Sequence, residues 1–280
     1  MDHFLLSLLV TLSVSLGKYA SKAADDGSFD QNYYVAWGSN HFTLLDQGKT
    51  AQLLVDPSSG AGFSSKQEYG SGYFGMRMKI PNKSSKGLIT TFYLTSKPVN
   101  QPTANYHDEI DFEFLGNNTM PYTIHTNVYA KDNGGREQEF HLWFDPTQDF
   151  HNYEILWNQH QIAFFVDQVP IRVFKNKTNV NFPSHSMHIE ASLWNAKDWQ
   201  GDVNWSEGPF TALYQSFRIN GCPYQSSNPQ QCYSSKLPWN GKKKWQLNRA
   251  QQAKLEEVRK KYMFYDYCYQ RGQNYPECSS

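Results

Sequence analysis

Long apolar runs are almost absent from this 280-residue chain. Phe4–Leu16 is apolar apart from Ser and Thr, but it is too short to span a bilayer comfortably, and no other stretch could cross one. Net charge is absent as well. The 26 Lys and Arg offset the 26 Asp and Glu, which excludes the global field that draws a protein to nucleic acid or an anionic membrane. Cysteine is scarce: Cys222, Cys232, Cys268 and Cys278 all lie in the last quarter. No Cys-x-x-Cys occurs, so a zinc site is the weaker reading and disulfides the stronger. Four cysteines permit three pairings. Two local loops, Cys222–Cys232 and Cys268–Cys278, are the simplest, each adding roughly 2–3 kcal/mol. No internal repeat is visible.

What the chain does hold is aromatic. Its 8 Trp, 18 Tyr and 18 Phe exceed what a core alone needs, and sugar-binding clefts use ring faces because pyranose C–H surfaces pack flat on them. For any single ring, an aromatic-rich β core remains the plainer alternative. Residues 1–23 read as a signal peptide, with Ser21 and Ala23 at −3 and −1 of a cleavage point after Ala23. Asp2 and His3 stand where Lys or Arg is usual, which leaves a signal anchor as the alternative. Export suits the cysteines and the four Asn-x-Ser/Thr sequons at Asn82, Asn117, Asn176 and Asn204.

From about Phe29 to Ile219 the sequence alternates in short strands broken by turns about every ten residues, among them Asp56-Pro57, Asn133-Gly134-Gly135 and Gly208-Pro209. Tyr73–Ile80, Leu88–Leu94, Ile162–Val166 and Met187–Leu193 are examples of the strands. Many short strands without helical periods predict an all-β sandwich of two antiparallel sheets. We expect a β-sandwich domain over 24–220 and a disulfide-tied extension over 221–280. Within that extension, Leu247–Tyr262 has one apolar stripe (Leu247, Ala250, Leu255, Val258, Tyr262) and predicts a helix. Nine Lys or Arg crowd Lys236–Lys261 against two Glu. A solvated face is the plain reading of that excess, and contact with an anionic polymer the sharper one.

The segment His107–Gly116, HDEIDFEFLG, carries the chemistry. Period-two alternation sends Ile110, Phe112 and Phe114 into the core and lines up His107, Glu109, Asp111 and Glu113 on the other face. Three carboxyls in a row repel one another, so packing alone does not place them there. Retaining glycoside hydrolysis needs two carboxyls about 5–5.5 Å apart, one a nucleophile and one a general acid/base. Residues i and i+4 of a strand lie roughly 13 Å apart along the backbone, so convergence requires leaning side chains, twist or a bulge. A solvated acidic face and a hard-cation site remain alternatives on the residues alone.

His107–Asn117 resembles the active-site strand of the xyloglucan endotransglucosylase/hydrolases, in the glycoside hydrolase clan of laminarinases and lichenases. Tyr69–Phe74, Gly135–Gln138, Leu142–Thr147, Ile155–Asn158, Ser192–Ala196 and the Cys-bearing tail extend the likeness over nearly the whole chain after residue 23. The resemblance implies a jelly-roll sandwich and no metal or other cofactor. It implies xyloglucan as donor, xyloglucan or its oligosaccharides as acceptor, and secretion to the plant cell wall and apoplast. A monomer is the default expectation. It makes Glu109 the nucleophile, Asp111 the residue that holds it, and Glu113 the general acid and then base.

Sugar contacts implied the same way are Glu113, His125, Thr126, Asn127, Arg136, Glu137, Trp194, Asp198, Trp199, Gly201 and Arg271, with a glycan on Asn117. The chain departs from the pattern at His125, where many members carry Gln. It departs again at the short loop Gln200–Asn204 and in the two-residue gap between Cys268 and Arg271. Hydrolytic members carry an extended loop near Trp194–Trp199, so the short loop here points to transfer.

Overall fold

The computed structural model describes residues 27–82, 85–97, 107–116, 120–270 and 275–278. The expected signal segment, Asn117 and Arg271 lie outside them. In chain order the strands are β1 (Tyr33–Trp37), β2 (Phe42–Leu45), β3 (Thr50–Val55), β4 (Ala61–Ser65), β5 (Tyr69–Lys79) and β6 (Leu88–Thr95). They continue with β7 (Glu109–Leu115), β8 (Thr123–Tyr129), β9 (Gln138–His141), β10 (His151–Trp157) and β11 (Gln161–Val166). Then come β12 (Val169–Lys175), β13 (His188–Asn195), β14 (Phe210–Gln215), β15 (Asn220–Pro223) and β16 (Met263–Asp266).

These strands make two antiparallel sheets packed face to face, the expected jelly-roll sandwich. The first runs β1-β4-β13-β6-β7-β8-β9-β16; the second runs β12-β11-β10-β5-β14-β3-β2, with β15 on β5. Alternation decides which face each strand buries. Phe74, Met76 and Met78 of β5 point inward, as do Ile110, Phe112 and Phe114 of β7. Phe112 meets Phe164 edge-on at 5.2 Å and Phe114 meets Tyr153 at 4.7 Å, so β7 is stapled to the opposite sheet by rings. Each such ring contributes about 1.5–3 kcal/mol by burial. Asp167 and Gln168, both at positive φ, turn β11 into β12 as a two-residue hairpin.

One charge crosses the core. Arg172 of β12, 1% exposed, donates to the Thr126 carbonyl (2.7 Å) and hydroxyl (2.9 Å) on β8 and to the Arg136 carbonyl (2.7 Å). Burial lowers its pKa, and the hydrogen bonds tie the second sheet to the strand beside β7.

The extension is woven into the sandwich: β15 joins the second sheet and β16 the first. Cys222 pairs with Cys232 and Cys268 with Cys278, the two local loops expected. The helix spans Arg249–Tyr262, opened by a capping box between Asn248 and Gln251. That cap sets the boundary and narrows the expected stripe. Leu255 and Val258 are buried, Ala250 in the first turn is exposed, and Leu247 lies before the cap. Leu247 packs instead with Tyr73, Trp239, Leu156 and Phe165 in a small cluster outside the main core.

Candidate active site

β7 sits at the middle of the first sheet, between β6 and β8, and its register is continuous on both sides. Glu109 lies opposite Thr95 and Tyr129, Asp111 opposite Tyr93 and Asn127, and Glu113 opposite Thr91 and His125. No bulge interrupts the column, and Glu109 and Glu113 line the same cleft, near enough for the Glu109 charge to raise the Glu113 pKa. The ends of the strand are fixed by local chemistry. Asp108 is fully buried, and its carboxylate accepts from the backbone N–H groups of Lys131, Ser184 and His185. Burial raises its pKa, but those bonds outweigh it and hold the carboxyl below its ordinary value. Gly116 closes the strand where a Cβ would meet the Ser85 carbonyl at 1.8 Å.

The polar face of β7 opens into a cleft of about 440 Å³ lined by Trp37, Thr91, Tyr93, Glu109, Asp111, Glu113, Ser192 and Trp194. Trp37 reaches it through a bulge. Register shifts between Val35 and Trp37, which swings the indole onto the cleft face that plain alternation would deny it. The ring lies over Gly62, where an added Cβ would stand 2.3 Å from Trp37 Nε1. Thr91 and Ser192 hydroxyls share a hydrogen bond of 2.7 Å, and the Tyr93 hydroxyl donates to Glu190 Oε2 at 2.6 Å.

Two donors meet at Glu109. His107 Nε2 lies 2.9 Å from Glu109 Oε2, and this bond raises the His107 pKa. Asp111 shares a second bond with Glu109; burial first, then the charges of Glu109 and Glu113, hold its carboxyl well above the carboxylate range. Burial and neighbouring charge thus favour the acid form of Asp111, the form that can donate to Glu109. Glu113 is pushed up to about 7 by burial, then by Glu109 and Glu137. A carboxyl at 7 gives and retakes a proton near neutrality. His125, across from Glu113, is pushed down to about 4 by burial and stands neutral 3.3 Å from Glu139.

The structure brings Glu109, Asp111, Glu113 and Trp194 to the cleft, with His125 and Asn127 on the same face of the next strand. Thr126 is turned the other way, fully buried beside Arg172. Arg136, 2% exposed, is committed to the extension: it pairs with Glu277 and lies against the Phe174 and Tyr275 rings. Glu137 accepts a bond of 3.3 Å from Asn127, the residue opposite Asp111. Asp198, Trp199 and Gly201 form an exposed turn, Trp199 being 53% accessible, which is not part of the cleft lining. Trp37, Thr91, Tyr93 and Ser192 were not singled out as site residues from sequence; all but Trp37 follow from alternation once strand neighbours are known. His107, placed by alternation on the face of Glu109, is there as expected. Among the described residues, no three His, Cys, Asp or Glu side chains are grouped to hold a metal ion.

Residues 29–207 match glycosyl hydrolases family 16, and residues 233–278 match the xyloglucan endo-transglycosylase (XET) C-terminus. The chain is 48% identical over 277 residues to xyloglucan endotransglucosylase/hydrolase protein 2 of Arabidopsis thaliana, spanning 95% of this chain and 92% of that one. It is 44% identical over 283 residues to a probable xyloglucan endotransglucosylase/hydrolase protein of Nicotiana tabacum, spanning 96% and 92%. A prokaryotic β-1,3-1,4-glucanase (lichenase) from a mouse hindgut metagenome superposes with a TM-score of 0.57 at 26% identity, over 70% of this chain and 97% of that one. The Crh5 transglycosylase shares the fold, with a TM-score of 0.56 at 20% identity over 71% and 82%.

Proposed function

The chain belongs to glycosyl hydrolases family 16, among the xyloglucan endotransglucosylase/hydrolases, and on that premise we propose that it cuts the β-1,4-glucan backbone of xyloglucan with retention and passes the cut end to a second xyloglucan chain. The observation that carries this reading is one unbulged strand presenting Glu109, Asp111 and Glu113 in a column to a cleft walled by Trp37 and Trp194.

Glu109 attacks the anomeric carbon while Glu113 gives its proton to the leaving glycosidic oxygen, so an ester to Glu109 forms as the glycosidic bond breaks. Asp111 and His107 hold the attacking carboxyl by their hydrogen bonds. In the second half Glu113, now ionised, takes the proton of an incoming hydroxyl, whose oxygen displaces Glu109 from the anomeric carbon. A sugar hydroxyl held in line outcompetes water through its effective concentration. The loop after Trp199 is short, and by likeness to the family a short loop there favours transfer over hydrolysis.

The same reading has the protein exported after cleavage behind Ala23, glycosylated at Asn117, and at work as a monomer in the plant cell wall and apoplast. The experiment is incubation with xyloglucan, with and without labelled xyloglucan oligosaccharides, following label incorporation and new reducing ends. Label entering polymer with few new ends is expected. Reducing ends without incorporation would make the protein a hydrolase, and neither product would move the activity to another β-glucan.

A further inference from the structure

A second cavity, about 320 Å³, opens on the outer face of the second sheet, on the opposite side of the sandwich from the cleft. Tyr73, Asn220, Pro238, Trp239 and Lys244 line it. Its walls are held rigidly. Trp239 Nε1 donates to Ser71 Oγ at 2.9 Å, and Ser71 Oγ in turn donates to the Cys232 carbonyl beside the first disulfide. The Asn158 side-chain amide, 2% exposed, donates to the Trp239 and Lys244 carbonyls, and fully buried Gln161 donates to Lys244 as well. Beneath the ring, Tyr73 is hydrogen-bonded to Glu154, whose pKa burial raises. Lys244 Nζ stands 5.7 Å from the Tyr73 ring centre.

The surroundings are strongly cationic. Lys242, Lys243 and Lys244 form one exposed turn, and among the described residues neither Lys242 nor Lys243 forms an ion pair within 4 Å. Two ring walls with an amide suit a pyranose, and an ammonium beside them on a backbone held in place suits a carboxylate on that ring. A neutral glucan would use the rings and leave the lysine turn without a role. We propose that this pocket binds a uronate residue of an acidic polysaccharide, its ring against Trp239 and Tyr73 and its carboxylate on Lys244, with Lys242 and Lys243 meeting the next uronates along the chain. Such a site would hold the enzyme on a charged polymer while its cleft, on the other side, works on the neutral one.

The test is titration of the full-length protein with polygalacturonate, and in parallel with xyloglucan added to the Glu109→Ala variant, at low and high salt. Binding of polygalacturonate is expected to weaken about tenfold between roughly 50 and 300 mM NaCl, as screening of exposed charge requires. Lys244→Gln and Trp239→Ala should each weaken it about fivefold, the scale of one exposed ring or charge contact, with transfer activity on xyloglucan unchanged. Lys244 is exposed, so its variant folds even if Trp239→Ala does not. No binding, or salt-sensitive binding that neither variant alters, would overturn the pocket. Salt-insensitive binding of xyloglucan lost in Trp239→Ala would overturn the acidic ligand in favour of a neutral one.

Discussion

Asp111 shares a hydrogen bond with Glu109, two residues away on the same face of β7, and burial together with the charges on either side raises its pKa and favours the acid form that can donate in that bond. The column thus contains two charge-compatible neighbours instead of three repelling carboxylates. That is how an acidic strand is tolerated at the centre of a sheet.

Asp111→Asn should therefore keep most of the arrangement, because an amide N–H can replace the acid as donor. We expect transfer kcat to fall about tenfold in Asp111→Asn and about a hundredfold in Asp111→Ala, where the donor is gone. Equal losses in the two variants would show that Asp111 does more than donate.

Glu109→Ala and Glu113→Ala should each cut turnover by about a thousandfold or more, in the range for removing a nucleophile or a general acid. The Glu109 charge raises the pKa of both Asp111 and Glu113, so losing either glutamate relieves crowding on that face. Melting temperature should stay level or rise, as calorimetry would show. Near-normal activity in either variant would overturn the assigned roles.

The pH dependence follows from Glu113, lifted from 4.5 to about 7. Because the folded protein holds this proton more tightly than the unfolded chain, the stabilisation is complete below pH 4.5 and is lost as pH rises through 7. At 1.36 kcal/mol per unit the whole effect is about 3 kcal/mol. His125, lowered to about 4, acts in the opposite sense below its ordinary value of 6.5, so the Glu113 loss stands clearest between pH 6.5 and 7.5. Melting temperature measured across that window should fall more steeply in the parent protein than in Glu113→Gln, where Asp111 and His107, both held above their ordinary values, still act in the same sense. Transfer rate should fall over the same window, as the acid form disappears.

Much of this site could be read along the chain. Alternation alone separated Glu109, Asp111 and Glu113 from Ile110, Phe112 and Phe114, because each face of β7 has one kind of neighbour. The same alternation turns Thr126 away from His125 and Asn127, a distinction that likeness to a family motif passes over. Trp37 was not legible. A bulge inverts side-chain parity without any mark in the residues that make it. Nor was the fate of Arg136, whose partner Glu277 is 141 residues away.

The Trp37 bulge gives its own test. Gly62→Ala would put a methyl group 2.3 Å from Trp37 Nε1, and the ring must lift off the sheet. Backbone strain plays no part, since Gly62 lies in a regular strand. If Trp37 supports the sugar, KM for xyloglucan should rise about fivefold to tenfold while kcat changes little, the split expected when ground and transition states lose the same contact. A fall in kcat alone would mean that the bulge positions the carboxyls and not the sugar.

The link between the extension and the catalytic sheet rests on Arg136 and Glu277, with side chains 2% and 5% exposed. Removing one member of a buried pair strands the other charge, at about 3–5 kcal/mol. Arg136→Ala should therefore destabilise more than Glu277→Gln, which leaves a neutral amide on a cation still flanked by the Phe174 and Tyr275 rings. Because the Arg136 backbone N–H also donates to Asn127 beside Asp111, loss of the pair should reach activity as well as stability. Urea titration of both variants, with transfer assays below the transition, separates the two effects. The Cys268→Ser, Cys278→Ser double variant frees the loop that carries Glu277, and should approach the Arg136→Ala loss if the disulfide acts by holding that carboxylate in place. If it costs only the roughly 2–3 kcal/mol of loop closure, with activity intact, the pair holds without its staple and the disulfide serves the unfolded chain alone.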